Sequence, residues 1–346
     1  MTTSKKILLA FSGGVDSSVS IRLLQEQGFD VEAATMILSG NEDIEAAREL
    51  AEKLGVKYHA VDLRRQFKDI VQDNFYSSYC AGQTPNPCIM CNINLKFGLL
   101  RDLAKSLGAQ YFATGHYVNV ANDGNFYYLE KAKDLSKDQS YVLYFLKSKD
   151  LENVVFPLGN FTKDKTKSIA KELELFEEIT ESQDICFIPD GDYISYFKKN
   201  HSYKPVGGAF EFVDGRVLGH YEDFNAYTIG QRKGLGIAYS EPLYVIEKNK
   251  EEAKIIVGRQ EDLFVSTVEL DSCSWNLEDP SLAFLEDVQV RWRYHQKEYL
   301  ASVEISGESA TVKFKEAQAA VAPGQTLVAY SGNRVLGGGK IIRTFR

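Results

Sequence analysis

The stretch that most limits what this chain can fold into is Ile7-Leu8-Leu9-Ala10-Phe11-Ser12-Gly13-Gly14-Val15-Asp16-Ser17-Ser18. An apolar run of strand length breaks on two adjacent glycines. Three polar residues then lead into Val19, Leu23 and Leu24, an apolar pattern of helical period that stops at Gly28. Strand, glycine turn and helix make half of a parallel βαβ unit. The turn brings backbone N–H groups and a helix N-terminus to one spot, which suits an anion. No Gly-Lys-Ser/Thr follows, so this is not the P-loop, and the third glycine of the dinucleotide fingerprint is missing. Ser12, Ser17 and Ser18 add hydroxyl donors. Asp16 by itself would repel phosphate, and its place in the turn makes sense where Mg²⁺ bridges carboxylate and phosphates. A bare Ser-Gly-Gly turn is commonly structural. The strand before it, Asp16 and the two serines point instead to a nucleotide.

The same alternation continues. Val31–Met36 reads as a strand, and Asn41 as the cap of a helix with Ile44, Ala47, Ala51 and Leu54 on one face and Gly55 as its stop. Val56–Val61 is a third strand. Helices follow around Phe67–Tyr79 and Leu95–Leu107, and Tyr111–Ala113 is a fourth strand that ends in Thr114-Gly115-His116. This rhythm predicts a parallel sheet covered on both faces. Ligands of such sheets bind at the carboxyl ends of the strands, where the glycine turn, Met36 and Gly115 all fall. A hairpin is predicted over Tyr117–Glu130, around Asn122-Asp123-Gly124. Further helices are predicted over Lys163–Leu175, capped by Thr162, and Tyr193–Phe197.

After about Pro205 the texture becomes β-rich, with short strands at Leu243–Glu247, Lys254–Val257, Val265–Leu270, Val288–Arg293, Ala301–Ile305, Thr311–Phe314 and Thr326–Tyr330. A chain of 346 residues is too long for one ordinary core. The expected fold class is α/β. A parallel-sheet domain over 1–203 precedes a small β-rich middle domain over 204–263 and a C-terminal β-barrel over 264–346.

Composition narrows the partners. With 44% hydrophobic and 25% charged residues the chain reads as globular, and no apolar run is long enough for a membrane span. Met1–Lys6 leads straight into the first strand without the apolar stretch of a signal peptide, so a cytoplasmic protein is expected. The net charge is −8, with 23 basic against 28 acidic residues in 1–200 and 17 against 20 in the rest. Bulk charge therefore speaks against nucleic acid, and any such claim rests on local patches. Val290–Lys297, VRWRYHQK, is basic and aromatic. As a strand it would send Arg291 and Arg293 to one face, toward RNA or simply toward solvent. Gly230–Ile237 sets Arg232-Lys233 between glycines and reads as a flexible loop. Ser136–Tyr141, SKDQSY, reads by itself as a solvated helix start.

The five cysteines are Cys80, Cys88, Cys91, Cys186 and Cys273, an odd and low count that suits a reducing compartment. Cys88 and Cys91 stand as C-x-x-C within Thr84–Asn92, behind two stiffening prolines. Metal ligation, redox exchange and coincidence all produce this spacing, and a zinc knuckle would need a second pair that the chain lacks. Cys186 lies between Ile185 and Phe187, as a buried apolar cysteine would. Asp184, Pro189 and Asp190-Gly191 argue for a loop instead. Cys80 and Cys273 read as packing residues.

Ser12–Ser17 resembles the PP-loop of the ATP pyrophosphatases, which cleave ATP between the α and β phosphates. Further stretches extend the likeness nearly end to end. They are Thr84–Asn92 with Lys96-Phe97, Ala113–Tyr117, Lys137–Ser140, Ile185–Ile188, Gly230–Ile237, Arg293-Tyr294, Pro323–Gln325 and Gly337–Gly339. Together they resemble the tRNA-specific 2-thiouridylases.

The resemblance implies an N-terminal PP-loop domain of adenine nucleotide α-hydrolase type that uses ATP and Mg²⁺. Ala10, Phe11, Ser12, Gly13, Gly14, Val15, Asp16, Ser17, Met36 and Gly115 would surround ATP. Asn86, Pro87 and Cys88 would meet the target base. His116, Lys137, Asp138, Gln139, Arg293, Tyr294 and Gln325 would contact tRNA. The 2-carbonyl oxygen of a wobble uridine would be adenylated. Cys186 would carry a persulfide delivered from a cysteine desulfurase, directly or through a relay protein, and Cys91 would resolve it to a disulfide. One position departs from the family pattern. Many members carry aspartate where this chain has Cys88, which puts any acid–base role there in doubt. Cys88, Cys91 and Cys186 could alternatively ligate an iron–sulfur cluster. Two other readings remain. A small-molecule AMP-forming synthetase leaves the cysteines and the β-rich tail unexplained, and a non-enzymatic RNA-binding module leaves Asp16 unexplained.

Overall fold

The structure is a computed structural model and describes residues 5–40, 42–176, 185–294 and 296–346. Its N-terminal layer is built on β1 (Lys5–Ala10), β2 (Phe29–Ile37), β3 (Lys57–Asp62) and β4 (Tyr111–Thr114). A hairpin of β5 (Asn119–Asn122) and β6 (Tyr127–Glu130) follows, and β7 (Val154–Val155) returns to the first sheet. That sheet is parallel throughout, in the order β3-β2-β1-β4-β7. Ile7, Leu8 and Leu9 are fully buried, as expected of a strand covered on both faces.

Helix α1 (Val15–Glu26) leaves β1 through the glycine turn. Helix α2 (Ile44–Lys53) takes its cap from Asp43, whose carboxylate accepts the Ala46 N–H at 2.9 Å. Asn41, the cap expected from sequence, lies outside the described residues. The helix Lys163–Glu172 is capped by Thr162 as its sequence predicts. The segments around Phe67–Tyr79 and Leu95–Leu107 are helical but interrupted. Each contains a wider π-type stretch, Lys68–Gln72 and Asn92–Leu100. Such turns are rare and often lie at functional sites.

The middle domain is a four-stranded sheet of β8 (Gly208–Phe212), β9 (Val217–Tyr221), β10 (Tyr244–Asn249) and β11 (Lys254–Gly258), in the order β10-β11-β8-β9. Phe210, Val245, Ile255 and Val257 fill its core. The C-terminal strands are β12 (Phe264–Trp275), β13 (Phe284–Arg291), β14 (Tyr299–Ser306), β15 (Ser309–Ala319), β16 (Thr326–Ser331) and β17 (Arg334–Phe345). The order β12-β15-β14-β13-β16-β17 closes into a barrel through antiparallel pairing of β12 with β17. Closure removes the exposed edges that an open sheet would leave.

Three features depart from the sequence reading. Strand β17 gave no strand signal, because Gly337–Gly339 dilute its β propensity. The β5–β6 hairpin leaves the N-terminal layer and joins the barrel, where Glu130 faces Arg334. Strand β13 stops at Arg291, so Arg291 and Arg293 do not share a strand face. Arg291 is buried and Arg293 exposed.

Candidate active site

The glycine turn has the shape its sequence suggests. Gly13 adopts φ +75°, and a Cβ there would meet the Ala47 Cβ at 3.2 Å. Gly14 caps α1 without a side-chain hydrogen bond, which leaves the first N–H groups of the helix for an incoming anion. Ser17 and Ser18 both donate to the Gly14 carbonyl, at 3.0 and 2.9 Å. Ser12 Oγ lies 3.2 Å from Ser17 Oγ. Gly115, at the end of β4, comes so close to α1 that a Cβ would meet Ser17 N at 3.3 Å. Phe11 and Val15 are buried behind the loop, and Ala10 and Met36 sit half-buried at or near the strand ends beside it.

Asp16 is held from two sides. Lys163 Nζ lies 2.7 Å from each of its carboxylate oxygens, and the Tyr117 hydroxyl donates to Oδ1 at 2.8 Å. Neither partner was evident in the sequence. Lys163 follows a helix cap and reads as an ordinary first-turn residue, while Tyr117 reads as the start of a hairpin. Only the packing of the helix Lys163–Glu172 against α1 brings the ammonium to the loop.

The thiols come together by two local devices. Asn86 caps the helix Pro87–Cys91 by accepting the Cys88 N–H at 3.0 Å, with Pro87 in the first turn. This places Cys88 and Cys91 on one short helix that continues into the π-type stretch. Residues Ile185–Gly191 form consecutive turns, closed by Ile188 N–H to Ile185 O at 2.8 Å and Gly191 N–H to Ile188 O at 3.1 Å. Phe187 and Ile188 plunge into an aromatic cluster with Phe67, Phe75 and Phe197, and Cys186 is left exposed between Ile185 and Phe187. The buried-cysteine reading of Cys186 is therefore wrong, and its neighbour Phe187 is the anchor. Phe187 meets Phe67 and Phe75 edge-on, with centroids at 5.5 and 5.6 Å. Cys91 packs on the same cluster. Residues 182–184, part of the segment noted in the sequence, lie outside the described residues.

Solvent reaches Cys88 and Cys186, yet enough protein surrounds each that burial dominates its acidity. Burial pushes the Cys88 and Cys91 thiols up. It pushes Cys186 up to about 11, with the Cys88 and Cys91 sulfurs adding to the rise. The Lys96 ammonium opposes the rise at all three. Lys96 lies five residues beyond Cys91 in the π-type stretch, where i→i+5 bonding stacks such residues on one side. Its cation also bears on His116, which burial holds neutral, with Nδ1 at 2.7 Å from Thr114 Oγ1. Lys96 thus bears both on the thiols and on His116, which follows Gly115 beyond the end of β4. As placed, the three cysteines do not fit an iron–sulfur cluster. Among the described residues no three His, Cys, Asp or Glu side chains gather to hold a metal ion.

The residues assigned to RNA divide into two groups. Lys137 and Gln139 are half-buried on the loop 134–139, and Tyr294 caps it, its hydroxyl donating to Lys137 O at 3.3 Å. Asp138 points inward. Its carboxylate accepts from Ala132 N at 3.0 Å and Ser140 Oγ at 2.8 Å, and pairs with Arg291 Nη2 at 2.6 Å. Arg293 and Gln325 instead line a cavity of about 480 Å³ where the three domains meet. Its walls are Thr84 from the approach to Asn86, Thr228–Gln231 from the middle domain, and Ala320 from the barrel. Gly230 and Gln231, which open the glycine-rich loop, are tied to Val245 of β10 by backbone bonds at 2.8 and 2.9 Å.

Comparison with known proteins decides the family. Residues 5–190 match the family model described as "tRNA methyl transferase HUP domain". Over 346 residues the chain is 42% identical to the "tRNA-specific 2-thiouridylase MnmA" of Trichlorobacter lovleyi, covering 97% of each chain. The chain belongs to the tRNA-specific 2-thiouridylase family. It is an enzyme, and two further relatives with that printed name agree along the whole length. One from Thermoanaerobacter sp. is 40% identical over 100% of both chains, and one from Clostridioides difficile is 40% identical over 99% of both. The middle and last domains match the "tRNA methyl transferase PRC-barrel domain" over 196–259 and the "Aminomethyltransferase beta-barrel domain" over 265–341. Among solved structures, a 4-thiouridine synthetase–RNA complex with bound ATP has a TM-score of 0.37 and 19% identity, over 56% of this chain and 50% of that one. In this member of the 2-thiouridylases, no helix of the described residues is long and apolar enough to cross a membrane.

Proposed function

We propose that the chain replaces the 2-carbonyl oxygen of a tRNA wobble uridine with sulfur, at the expense of ATP cleaved to AMP and pyrophosphate. The observation that carries this reading is that Cys91 and the residues flanking Cys186, Ile185 and Phe187, pack on one aromatic cluster, with the Cys91 sulfur close enough to raise the Cys186 thiol, in a chain whose first strand ends in an anion-suited turn. The uracil O2 attacks the α-phosphorus, pyrophosphate leaves with the bonding electrons, and N3 gives up its proton. The N–H groups at the start of α1 and the Lys163 ammonium hold the departing charge. A Mg²⁺ ion fits the donor chemistry, since a single carboxylate, Asp16, beside nucleotide phosphates is a usual set for it. When bound, that ion neutralises phosphate charge.

Sulfur then arrives from Cys186. The terminal sulfur of its persulfide, as the anion, attacks C2, and AMP departs with the electrons of the C2–O bond. The Cys91 thiolate attacks Cys186 Sγ, and the S–S bond to the transferred sulfur breaks. Its electrons form the thiocarbonyl, N3 regains a proton, and a Cys91–Cys186 disulfide remains. Two electrons from a thiol reductant reopen it. The exposure of Cys186 suits loading by a protein persulfide from a cysteine desulfurase or relay. The target base must leave its stack to reach these sulfurs, with Asn86-Pro87-Cys88 as its seat. The cytoplasm, where its tRNA is found, is the compartment this reading requires.

The test is Cys186→Ser assayed for two products. tRNA-dependent pyrophosphate release should persist while 2-thiouridine, read by mass spectrometry of wobble nucleosides, disappears. Wild-type levels of 2-thiouridine from Cys186→Ser would overturn the assignment. Pyrophosphate release driven by a small acid instead of tRNA would overturn the substrate.

A further inference from the structure

The loop 134–139 reaches the phosphate turn by two separate arms that converge on Asp16. In the first, Gln139 clamps the backbone of Tyr117. Tyr117 N–H donates to Gln139 Oε1 at 2.9 Å, and Gln139 N–H donates to Tyr117 O at 2.8 Å. The Tyr117 side chain then crosses to the nucleotide site, where its hydroxyl donates to Asp16 Oδ1 at 2.8 Å and lies 3.0 Å from Thr166 Oγ1. In the second arm, Asp134 Oδ2 accepts the Lys163 N–H at 3.0 Å, and Lys163 Nζ grips both Asp16 oxygens. Asp134 is itself bound within the loop, with its Oδ1 accepting from Ser136 Oγ and its carbonyl from Lys137 N–H.

The far end of this device is fixed and its middle is open. Asp138 is locked inside by Ala132, Ser140 and Arg291, so the loop hinges on a rigid post. Gln139 is half-buried, and its Nε2 donates to no group among the described residues, so it can engage RNA while Oε1 still holds Tyr117. Tyr117 is itself buried, so its phenol stays protonated and acts on Asp16 as a donor.

We propose that Tyr117 is a positioning residue that couples occupancy of the RNA-contacting loop 134–139 to the phosphate-binding turn, so that tRNA tightens the grip on ATP and ATP tightens the grip on tRNA. The inference rests on the thiolation reading above and on the tRNA contact that the family resemblance implies for Lys137 and Gln139. It goes beyond that contact by making nucleotide activation conditional on the RNA through one hydroxyl. By linkage the two enhancements are equal in size, and a factor of about ten is of the ordinary magnitude for such coupling.

The experiment is calorimetric titration of the full chain with an ATP analogue uncleavable between the α and β phosphates, with and without unmodified substrate tRNA. The wild type should bind the analogue about tenfold more tightly when tRNA is present. Tyr117→Phe keeps the ring and loses the hydroxyl. Whatever it does to the affinity for each ligand alone, the enhancement of one ligand's binding by the other should fall to near one. Tyr117→Phe combined with Gln139→Leu should lose no more coupling than Tyr117→Phe alone, because the two act along one chain of contacts. Undiminished coupling in Tyr117→Phe, or a wild type that binds both ligands independently, overturns the proposal and leaves the thiolation reading intact. A wild type that binds no tRNA overturns both.

Discussion

At the residue scale, the proposed sulfur transfer uses Cys91 and Cys186, which with Cys88 are thiols that burial makes poorer acids, and one cation offsets this. Lys96 has no carboxylate partner among the described residues, and its field lowers what burial raises at Cys88, Cys91 and Cys186. A thiol with a raised pKa carries less thiolate at neutral pH, so its reactivity climbs as pH rises toward that pKa. Alkylation of Cys186 by iodoacetamide should therefore keep rising with pH to about 11. Replacing Lys96 with Met removes the offset. At pH 8 the labelling of Cys91 should slow, the lost thiolate fraction being only partly compensated by greater intrinsic nucleophilicity. Lys96→Arg should restore the rate, and an unchanged pH profile in Lys96→Met would remove Lys96 from the account. The C-x-x-C spacing was legible in the sequence. Lys96 was legible as part of the family-like stretch Lys96-Phe97, but its effect on the thiols was not, because it depends on a π-type turn that residue pattern alone does not announce.

At the scale of elements, the Cys186 turn is held by the burial of its neighbours. Phe187 is 7% exposed and Ile188 is 2% exposed, against aromatic rings from the helices around Phe75 and Phe197. Truncating a ring in such a cluster costs about 3–5 kcal/mol. Phe187→Ala should lower the urea midpoint by an amount of that order and slow sulfur transfer, while tRNA-dependent pyrophosphate release continues. Equal loss of both activities would mean that the turn serves the whole domain and not the sulfur. Strand, glycine turn and helix at residues 7–24 were legible because one glycine with positive φ and one close approach to Ala47 enforce them locally. The Thr162 cap was legible for the same reason. Cys186 was ambiguous, since Ile-Cys-Phe describes a buried strand as well as a turn with two buried flanks.

At the scale of the molecule, the barrel is bolted to the catalytic layer by a buried ion pair. Arg291 of β13 reaches Asp138 at 2.6 Å, with side chains 8% and 1% exposed, and Tyr330 OH accepts from Arg291 Nε at 3.0 Å. Tyr141 adds its hydroxyl to the carbonyls of Trp292 and Thr326 across the same seam. Removing one partner of such a pair strands the other without solvent and costs about 3–5 kcal/mol. Arg291→Met should lose stability on that scale in denaturant titration. Arg291→Met with Asp138→Asn should recover most of it, because the amide oxygen still accepts the Ala132 N–H without a stranded charge. No recovery in the double variant would show that packing, not charge, holds the seam. The basic and aromatic stretch Val290–Lys297 left both arginines open between RNA and solvent, and the family resemblance implied RNA contact for Arg293 alone. The structure spends Arg291 on the seam and leaves Arg293 at the cavity shared by the three domains. What the sequence by itself determined is the local chemistry: the glycine turn, the Thr162 cap, the paired cysteines and the alternation that makes a parallel sheet. These depend on neighbours a few residues apart, whose backbone demands are written in residue type. Only the tertiary structure decided which charges meet. Lys163 with Asp16, Arg291 with Asp138 and Lys96 with the thiols come from distant segments or an unusual helical turn, and Coulomb interactions follow distance in space, not order along the chain.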